Sequence, residues 1–291
     1  MQNTTKNIFI CNRFKLDLST PKLMGIVNVN DDSFSGDGCG KYDFKNAIKH
    51  AESQLAAGAD ILDIGAESTR PNSDSITPSE EWKRLDPVLQ ELKLWNVPIS
   101  VDTRNAETMK KAIEINAVDI INDIEALQNN NSLEVIKNSP YEVGICLMHM
   151  QNQPKNMQQN PEYQNDNVVL EVEKFLQSAE QRCLDAGIAK NRLLMDPGFG
   201  FGKTLQHNLA LVNAIPQFCQ RHQWNLLIGV SRKSMLGAIT QNPVENRMIE
   251  SVTAAILCAD KGAKILRIHD VKATKNALQI WEAIALNKFS N

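Results

Sequence analysis

The residues best equipped for chemistry in this chain stand at the ends of short apolar runs. Asn28 closes "KLMGIVNVN", Asp63 and Glu67 close "ADILDIGAE", Asp102 follows "VPISV", and Asn122 and Asp123 lie in "VDIINDI". Farther on, His149 sits in "VGICLMHM", Asp196 closes "RLLMD", Ser231, Arg232 and Lys233 follow "LLIGV", and Arg267, His269 and Asp270 end "AKILRIHD". Taken singly, an Asp or Asn after a strand is a turn former or a helix cap, and Asp123 and Asp270 are read that way. Taken together, carboxylates, amides and cations closing nearly every run form a set suited to hydrogen-bonding a polar ligand and holding an anion. One stretch invites another reading, because "LLMDPGFGFGKT" (193–204) ends in Gly-Lys-Thr like a phosphate-binding loop. That loop needs a glycine five positions before Gly202, and Pro197 stands there with no N–H to offer. Gly198, Gly200 and Gly202 are also spaced G-x-G-x-G, which is not the dinucleotide fingerprint.

Eight apolar runs carry these residues: 22–30, 59–67, 97–103, 118–124, 143–150, 192–198, 226–231 and 263–270. Helical periodicity fills most of the gaps. "DFKNAIKHAESQLAAG" (43–58) puts Ala47, Ile48, Ala51 and Leu55 on one face and ends on Gly58, a C-cap. "TPSEE" offers Thr77 as N-cap, Pro78 at the first helical position and Glu80 three after the cap. Helices are expected over 105–116, 167–187, 207–215, 246–262 and 270–286, with only "SLEVIKN" (132–138) to serve the fourth crossover. Strand and helix alternating eight times over roughly 250 residues is the pattern of a (β/α)8 TIM barrel, an α/β fold whose active site forms where the strands end. A doubly wound open sheet is the structural alternative and seldom runs to eight units without reversing direction. With no linker or repeat, residues 22–291 are read as one barrel domain, preceded by an N-terminal extension (1–21) that closes its bottom.

Composition excludes several classes. A net charge of −3 gives no electrostatic case for nucleic acid or an anionic membrane. The N-terminus is too polar for a signal peptide, and the longest apolar stretch, "VTAAILCA" (252–259), is too short to cross a bilayer. Six scattered cysteines with no C-x-x-C pair read as reduced thiols of a cytoplasmic protein.

The ordered segments "MGIVNVNDDSFS", "DIGAESTRP", "SVDT", "INDI", "LMHM", "MDPGFGFGK", "GVSRKSMLG" and "RIHDV" resemble the motifs of dihydropteroate synthases over nearly the whole chain. The resemblance implies the TIM barrel reached above by pattern. It also implies joining of 6-hydroxymethyl-7,8-dihydropterin diphosphate to p-aminobenzoate, with small molecules as partners and Mg2+ as cofactor, in a homodimer. By resemblance Asp196 accepts two parallel N–H bonds from the pterin edge, Asp102 and Asn122 complete its recognition, Lys233 contacts the ring's polar atoms and Met148 its face. Asn28, Arg70, Arg267 and His269 hold diphosphate, Asn28 also placing the metal, while His149 is a packed structural residue. Loops 29–40 and 66–76 close over the site, with Phe34, Thr69, Arg70 and Pro71 around p-aminobenzoate, Phe201 on its ring and Ser234 on its carboxylate. In an SN1-like displacement Asp32 stabilises the developing cation, and residues 197–204 form a glycine-loosened lid.

The first loop departs from the family pattern at Asn30 and Asp31, where Thr-Pro is usual, and at "SGDG" (35–38). A methyltransferase barrel acting on methyl-tetrahydrofolate would share an Asp/Asn pterin pocket but has no use for "SRKS", "STRP" and "RIHD" together. A non-catalytic pterin-binding paralogue would have lost Arg267, His269 or Lys233, and all three are present.

Overall fold

The computed structural model describes residues 7–29, 44–67, 76–129, 131–152, 157–158, 161–285 and 287. A hairpin, β1 (Ile8–Cys11) and β2 (Phe14–Asp17), precedes eight barrel strands: β3 (Lys22–Asn28), β4 (Ile61–Gly65), β5 (Ile99–Asp102), β6 (Ile120–Asp123), β7 (Gly144–Met148), β8 (Leu193–Asp196), β9 (Leu227–Ile228) and β10 (Ile265–Ile268). The strands run parallel in the order β8-β7-β6-β5-β4-β3-β10-β9. The ring closes where Met195 bridges Leu226 in parallel and donates its N–H to Asn225 O at 3.0 Å.

The barrel strands are buried on both faces, as parallel strands wrapped by helices must be. Side-chain alternation splits them into two sets. Leu23, Val27, Leu62, Ile64, Val101, Ile121, Leu147, Met195 and Leu266 join the outer core under the helices. Met24, Ile61, Ile120, Cys146, Leu194, Leu227 and Ile265 form a separate interior cluster with Phe9, Cys11 and Leu18 of the N-terminal segment. Phe9 approaches so closely that a Cβ on Gly144 would lie 2.6 Å from its Cζ. Arg13 fastens the hairpin by a two-toothed pair with Asp119, at 2.6 and 2.9 Å.

The helices are α1 (Phe44–Ala56), α2 (Pro78–Leu92), α3 (Ala106–Glu114), α4 (Ser132–Lys137), α5 (Val168–Asp185), α6 (Leu205–His222), α7 (Ser234–Thr240), α8 (Met248–Asp260) and α9 (Val271–Ala285). Thr77 caps α2 through Glu80 N at 3.2 Å, with Pro78 in its first turn. The short α4 does serve the fourth crossover. Two differences from the pattern reading stand out. Helix α6 begins two residues earlier and runs through Pro216 to His222, because the bond lost to one proline is outweighed by burial of Leu211, Ile215 and Phe218 along the same face. Helix α7 is an extra turn structure in the seventh crossover, too short for periodicity to reveal. No helix among the described residues is long and apolar enough to cross a membrane.

Candidate active site

Two residues beyond the apolar interior layer, the same strands change character: Ile61 gives way to Asp63, Ile120 to Asn122, Cys146 to Met148, Leu194 to Asp196 and Ile265 to Arg267, while β5 is already polar at Ser100 and again at Asp102. Arg267 organises one side. Its Nε donates to Asp63 Oδ2 and its Nη2 to Asp102 Oδ2, both at 2.6 Å. Asp63 has no exposed surface and also receives Ser100 Oγ at 2.6 Å and the Asn122 amide at 3.4 Å. A buried carboxylate needs such partners. Burial pushes the Asp102 carboxyl up to about 7, with Arg267 opposing and Asp63, Glu81 and Glu67 adding to the rise. Burial likewise lifts Asp196 to about 6 against the pull of the Gly198 N–H and of Lys233, Lys203 and Arg267.

The segment after β8 is not a loose lid. Gly198, Gly200 and Gly202 all take positive φ, +70°, +77° and +67°, the left-handed region that glycine enters without penalty. A Cβ at Gly198 would also strike His149 O at 1.9 Å, so the turn is moulded against the end of β7. Gly198 N–H bonds Asp196 Oδ1 at 2.7 Å, Gly200 N–H bonds Asn208 Oδ1 at 2.8 Å, and Tyr163 OH bonds Gly202 O at 2.8 Å. Gln158 donates to Gly200 O. The turn presents Phe201, packed with Ile124, Met148 and Met157, and the Lys233 ammonium lies 4.1 Å over its ring. Lys233 itself is lowered to about 8, first by burial and then by Arg267.

The Gly-Lys-Thr ending has other uses. Thr204 caps α6, accepting His207 N–H at 3.1 Å while His207 Nδ1 receives the Thr204 N–H at 3.3 Å, a reciprocal capping box. Lys203 is buried, its ammonium 2.9 Å from His149 Nδ1, 3.0 Å from Phe201 O and 3.3 Å from His149 O. His149 packs edge-on against Phe175 at 4.9 Å and is held neutral, pushed down to about 2 by burial and by Lys203. It therefore serves packing, with its Nδ1 as acceptor for a lysine.

Arg267, His269 and Asn28 come from the ends of the adjacent strands β10 and β3. The His269 N–H donates to Ser231 Oγ at 3.2 Å, and the same hydroxyl lies 3.1 Å from its Nδ1. Burial, with Arg267 and Arg232 nearby, lowers His269 to about 4. At neutral pH it offers a hydrogen bond and no charge, so Arg267 is the cation of that pair. Asn28 ends β3 with its side chain exposed, and Ser234 is the exposed first residue of α7. Asp32, Phe34, Thr69, Arg70 and Pro71 lie outside the described residues.

Several site-supporting contacts escape a motif reading. Arg232 and Asp270 form an ion pair at 2.6 Å beneath His269. Arg104 grips Glu67 with two nitrogens, at 2.8 and 3.1 Å, and Glu125 with a third at 2.9 Å. Glu81 of α2, fully buried, accepts from Thr103 Oγ1 at 2.9 Å and Asn105 Nδ2 at 3.0 Å on the turn that follows Asp102, and from Thr108 of α3. The available signal is a charge inside an apolar pattern: Asp63 between Leu62 and Ile64 of β4, and Glu81 on the buried face of α2, both demand a partner across the fold.

A polar crown with two buried aspartates, a bridging arginine and an aromatic-topped lysine inside a (β/α)8 barrel is the architecture of a pterin-recognising enzyme, and residues 24–269 match the pterin binding enzyme family. A dihydropteroate synthase of Neisseria meningitidis serogroup C is 48% identical over 283 residues, 97% of this chain and 99% of the relative. The crystal structure of the Yersinia pestis dihydropteroate synthase with a sulfonamide drug superposes with a TM-score of 0.87 at 42% identity, covering 96% of this chain and 99% of that one. That of Burkholderia cenocepacia, complexed with 7,8-dihydropteroate, gives 0.85 at 37% identity, covering 96% and 97%. The chain belongs to the dihydropteroate synthase family.

Proposed function

We propose that this chain joins 6-hydroxymethyl-7,8-dihydropterin diphosphate to p-aminobenzoate, forming 7,8-dihydropteroate and pyrophosphate for folate synthesis. The observation that carries the reading is the pairing of Asp196 with Lys233 and Phe201 on one side of the crown and Asp102, Asn122 and Arg267 on the other. Asp196 still has one oxygen outside its bond to Gly198, and a carboxylate facing adjacent N–H donors takes them in parallel. Asp102 and Asn122, neighbours in the β5–β6 register, read the remaining pterin edge, and Met148 underlies its face.

Arg267 uses Nε and Nη2 on the two aspartates, which leaves Nη1 for the diphosphate. Neutral His269 adds a hydrogen bond. Asn28, at the barrel mouth, fits a metal carried mostly by substrate oxygens, since among the described residues no group of three His, Cys, Asp or Glu could hold one alone. Mg2+ bound there would supply positive charge to the leaving group. The C–O bond to diphosphate breaks with its electron pair leaving on pyrophosphate, the methylene cation is delocalised into the pterin, and the p-aminobenzoate nitrogen bonds to the methylene and gives up a proton to the departing pyrophosphate or to solvent. Asp32, Phe34, Thr69, Arg70 and Pro71 take the loop roles assigned by resemblance, with Phe201 on the p-aminobenzoate ring and Ser234 on its carboxylate. No protein nucleophile is required. The purified enzyme with both substrates and Mg2+ should release pyrophosphate stoichiometrically with dihydropteroate; folded, Mg2+-replete protein that releases none refutes the reading.

The working form is a cytoplasmic homodimer in this reading. Buried free thiols suit a reducing compartment. Helices α8 and α9, packed on each other, expose Met248, Ile249, Leu257, Ile280 and Ile284, the last 79% exposed. An apolar patch of this kind calls for a cover, and a second copy supplies one. Ile249→Glu with Ile280→Glu should give monomers by sedimentation; a wild-type monomer contradicts the assignment.

A further inference from the structure

The Lys203 ammonium is the one charged group of the Gly-Lys-Thr motif, and the reaction as derived makes no use of it. Only 3% of the residue is exposed, and burial lowers Lys203 to about 7 against the pull of Asp196, so the ammonium form is held only where partners offset its burial. Those partners are specific. Phe201 O belongs to the turn that follows Asp196, while His149 O and His149 Nδ1 belong to the residue directly after Met148. One ammonium thus ties the ends of β7 and β8 together at the level of the pterin-binding groups.

We propose that Lys203 is a positioning residue that locks the turn carrying Phe201 onto the end of β7, so that Met148, Asp196 and Phe201 present one preorganised surface to the pterin. The inference rests on the pterin reading given above. Preorganisation of this kind lowers the ordering cost of binding. The ammonium has a second consequence. Asp196 is faced by Lys233 from the β9–α7 turn, Arg267 from β10, the Gly198 N–H and Lys203 from its own loop, while Lys203 is faced by neutral His149 and by Lys233. Removing one of the three cations favours protonation of Asp196, so the acid limb of pterin binding moves to higher pH.

Lys203→Met keeps the stem's volume and deletes the ammonium. In the ligand-free enzyme, amide hydrogen exchange of the 197–203 turn should quicken at least tenfold while β3 and β4 keep their protection. Pterin diphosphate should bind about tenfold more weakly by calorimetry, with the acid limb of the affinity raised by about half a pH unit or more. Lys203→Gln, which retains an N–H donor, should fall between Met and wild type, and it carries the test if the Met variant does not fold. Unchanged exchange of the turn, or weaker binding with no shift of the acid limb, overturns the proposal. If the wild type itself fails to bind pterin diphosphate, the functional reading fails and the exchange measurement alone decides the tie.

Discussion

The two ends of the barrel interior are built by the same strands and differ by two residues of chain. At the lower end Ile61, Ile120, Cys146, Leu194 and Ile265 meet Phe9 and Leu18 in a buried apolar cluster. At the upper end Asp63, Asn122, Met148, Asp196 and Arg267 meet one another and the mouth. Alternation forces both sets to face inward, so the fold treats them alike and only chemistry separates them. The lower layer gains stability from burial at about 25 cal/mol per Å2 of apolar surface. The upper layer spends some of it, holding carboxylates at about 6 and about 7 in Asp196 and Asp102 and a lysine at about 8 in Lys233. Stability and catalysis are therefore separable along each strand, and mutations should divide accordingly.

Arg267→Ala attacks the upper layer where both properties meet. It leaves Asp63, which has no exposed surface, without its strongest partner, a loss of about 3–5 kcal/mol for a broken buried pair. It also removes the cation that pairs with Asp102 and that the proposed reaction sets against the diphosphate, so kcat/KM should fall by about a thousandfold or more. Arg267→Ala with near-normal turnover would break the distinction between the layers. The double variant Arg267→Ala with Asp63→Ala should regain much of the stability in denaturant unfolding and none of the activity.

Phe9→Ala is the counterpart at the lower end. Its ring is wholly buried against Gly144 and Cys146, and truncation of a buried Phe costs about 3–5 kcal/mol. The unfolding free energy should drop by that amount, while KM for both substrates and kcat, measured where the protein stays folded, remain within twofold. A changed pterin affinity would mean that the hairpin reaches the chemistry through the barrel wall.

How far such residues are legible in sequence depends on whether their signal is local. The eight strands are, because each is a short apolar run closed by a polar residue, and even the weak "SLEVIK" segment is helical as α4. Asp102, Asn122 and Asp196 are legible for the same reason, and the motif order names their family. The continuation of α6 through Pro216 is not, because a tertiary face overrides a local breaker. The ion pairs Arg267–Asp63 and Arg104–Glu67 join residues 204 and 37 positions apart, which only the closed barrel brings together. Lys203 reads as idle in the chain for the reverse reason: the missing phosphate-loop glycine is visible there, and the two carbonyls that need the ammonium are not.

The charge state of Asp196 sharpens the comparison in solution. Its carboxyl is raised from 3.8 to about 6 by burial, so the folded protein holds this proton where the unfolded chain has lost it. In the proposed recognition the carboxylate accepts the parallel pterin bonds above about pH 6, and below it pterin affinity should fall by up to tenfold per pH unit. Stability runs the other way, since this group favours the folded state at low pH and that contribution is lost as the pH rises from about 4 to 6. Asp196→Asn should flatten the binding profile in calorimetry at a uniformly lower affinity. A wild-type affinity constant from pH 7 to 5 would remove Asp196 from the recognition step, and no substitution in the lower layer should alter the profile at all.

The smallest expected effect comes from a residue with almost no packing. Ser234 is exposed at the first position of α7, so its hydroxyl contributes nothing to the core. If it binds the p-aminobenzoate carboxylate, Ser234→Ala deletes one solvent-accessible hydrogen bond worth about 1 kcal/mol, about a fivefold rise in KM for that substrate. The interaction is made equally in the ground and transition states, so kcat should hold. Because the mouth around Ser234 is open, Tm should not move, and pterin diphosphate affinity should stay at the wild-type value. A fall in kcat in place of the KM change would put Ser234 among the groups that act on the breaking bond, bringing the line between recognition and chemistry one residue closer to α7.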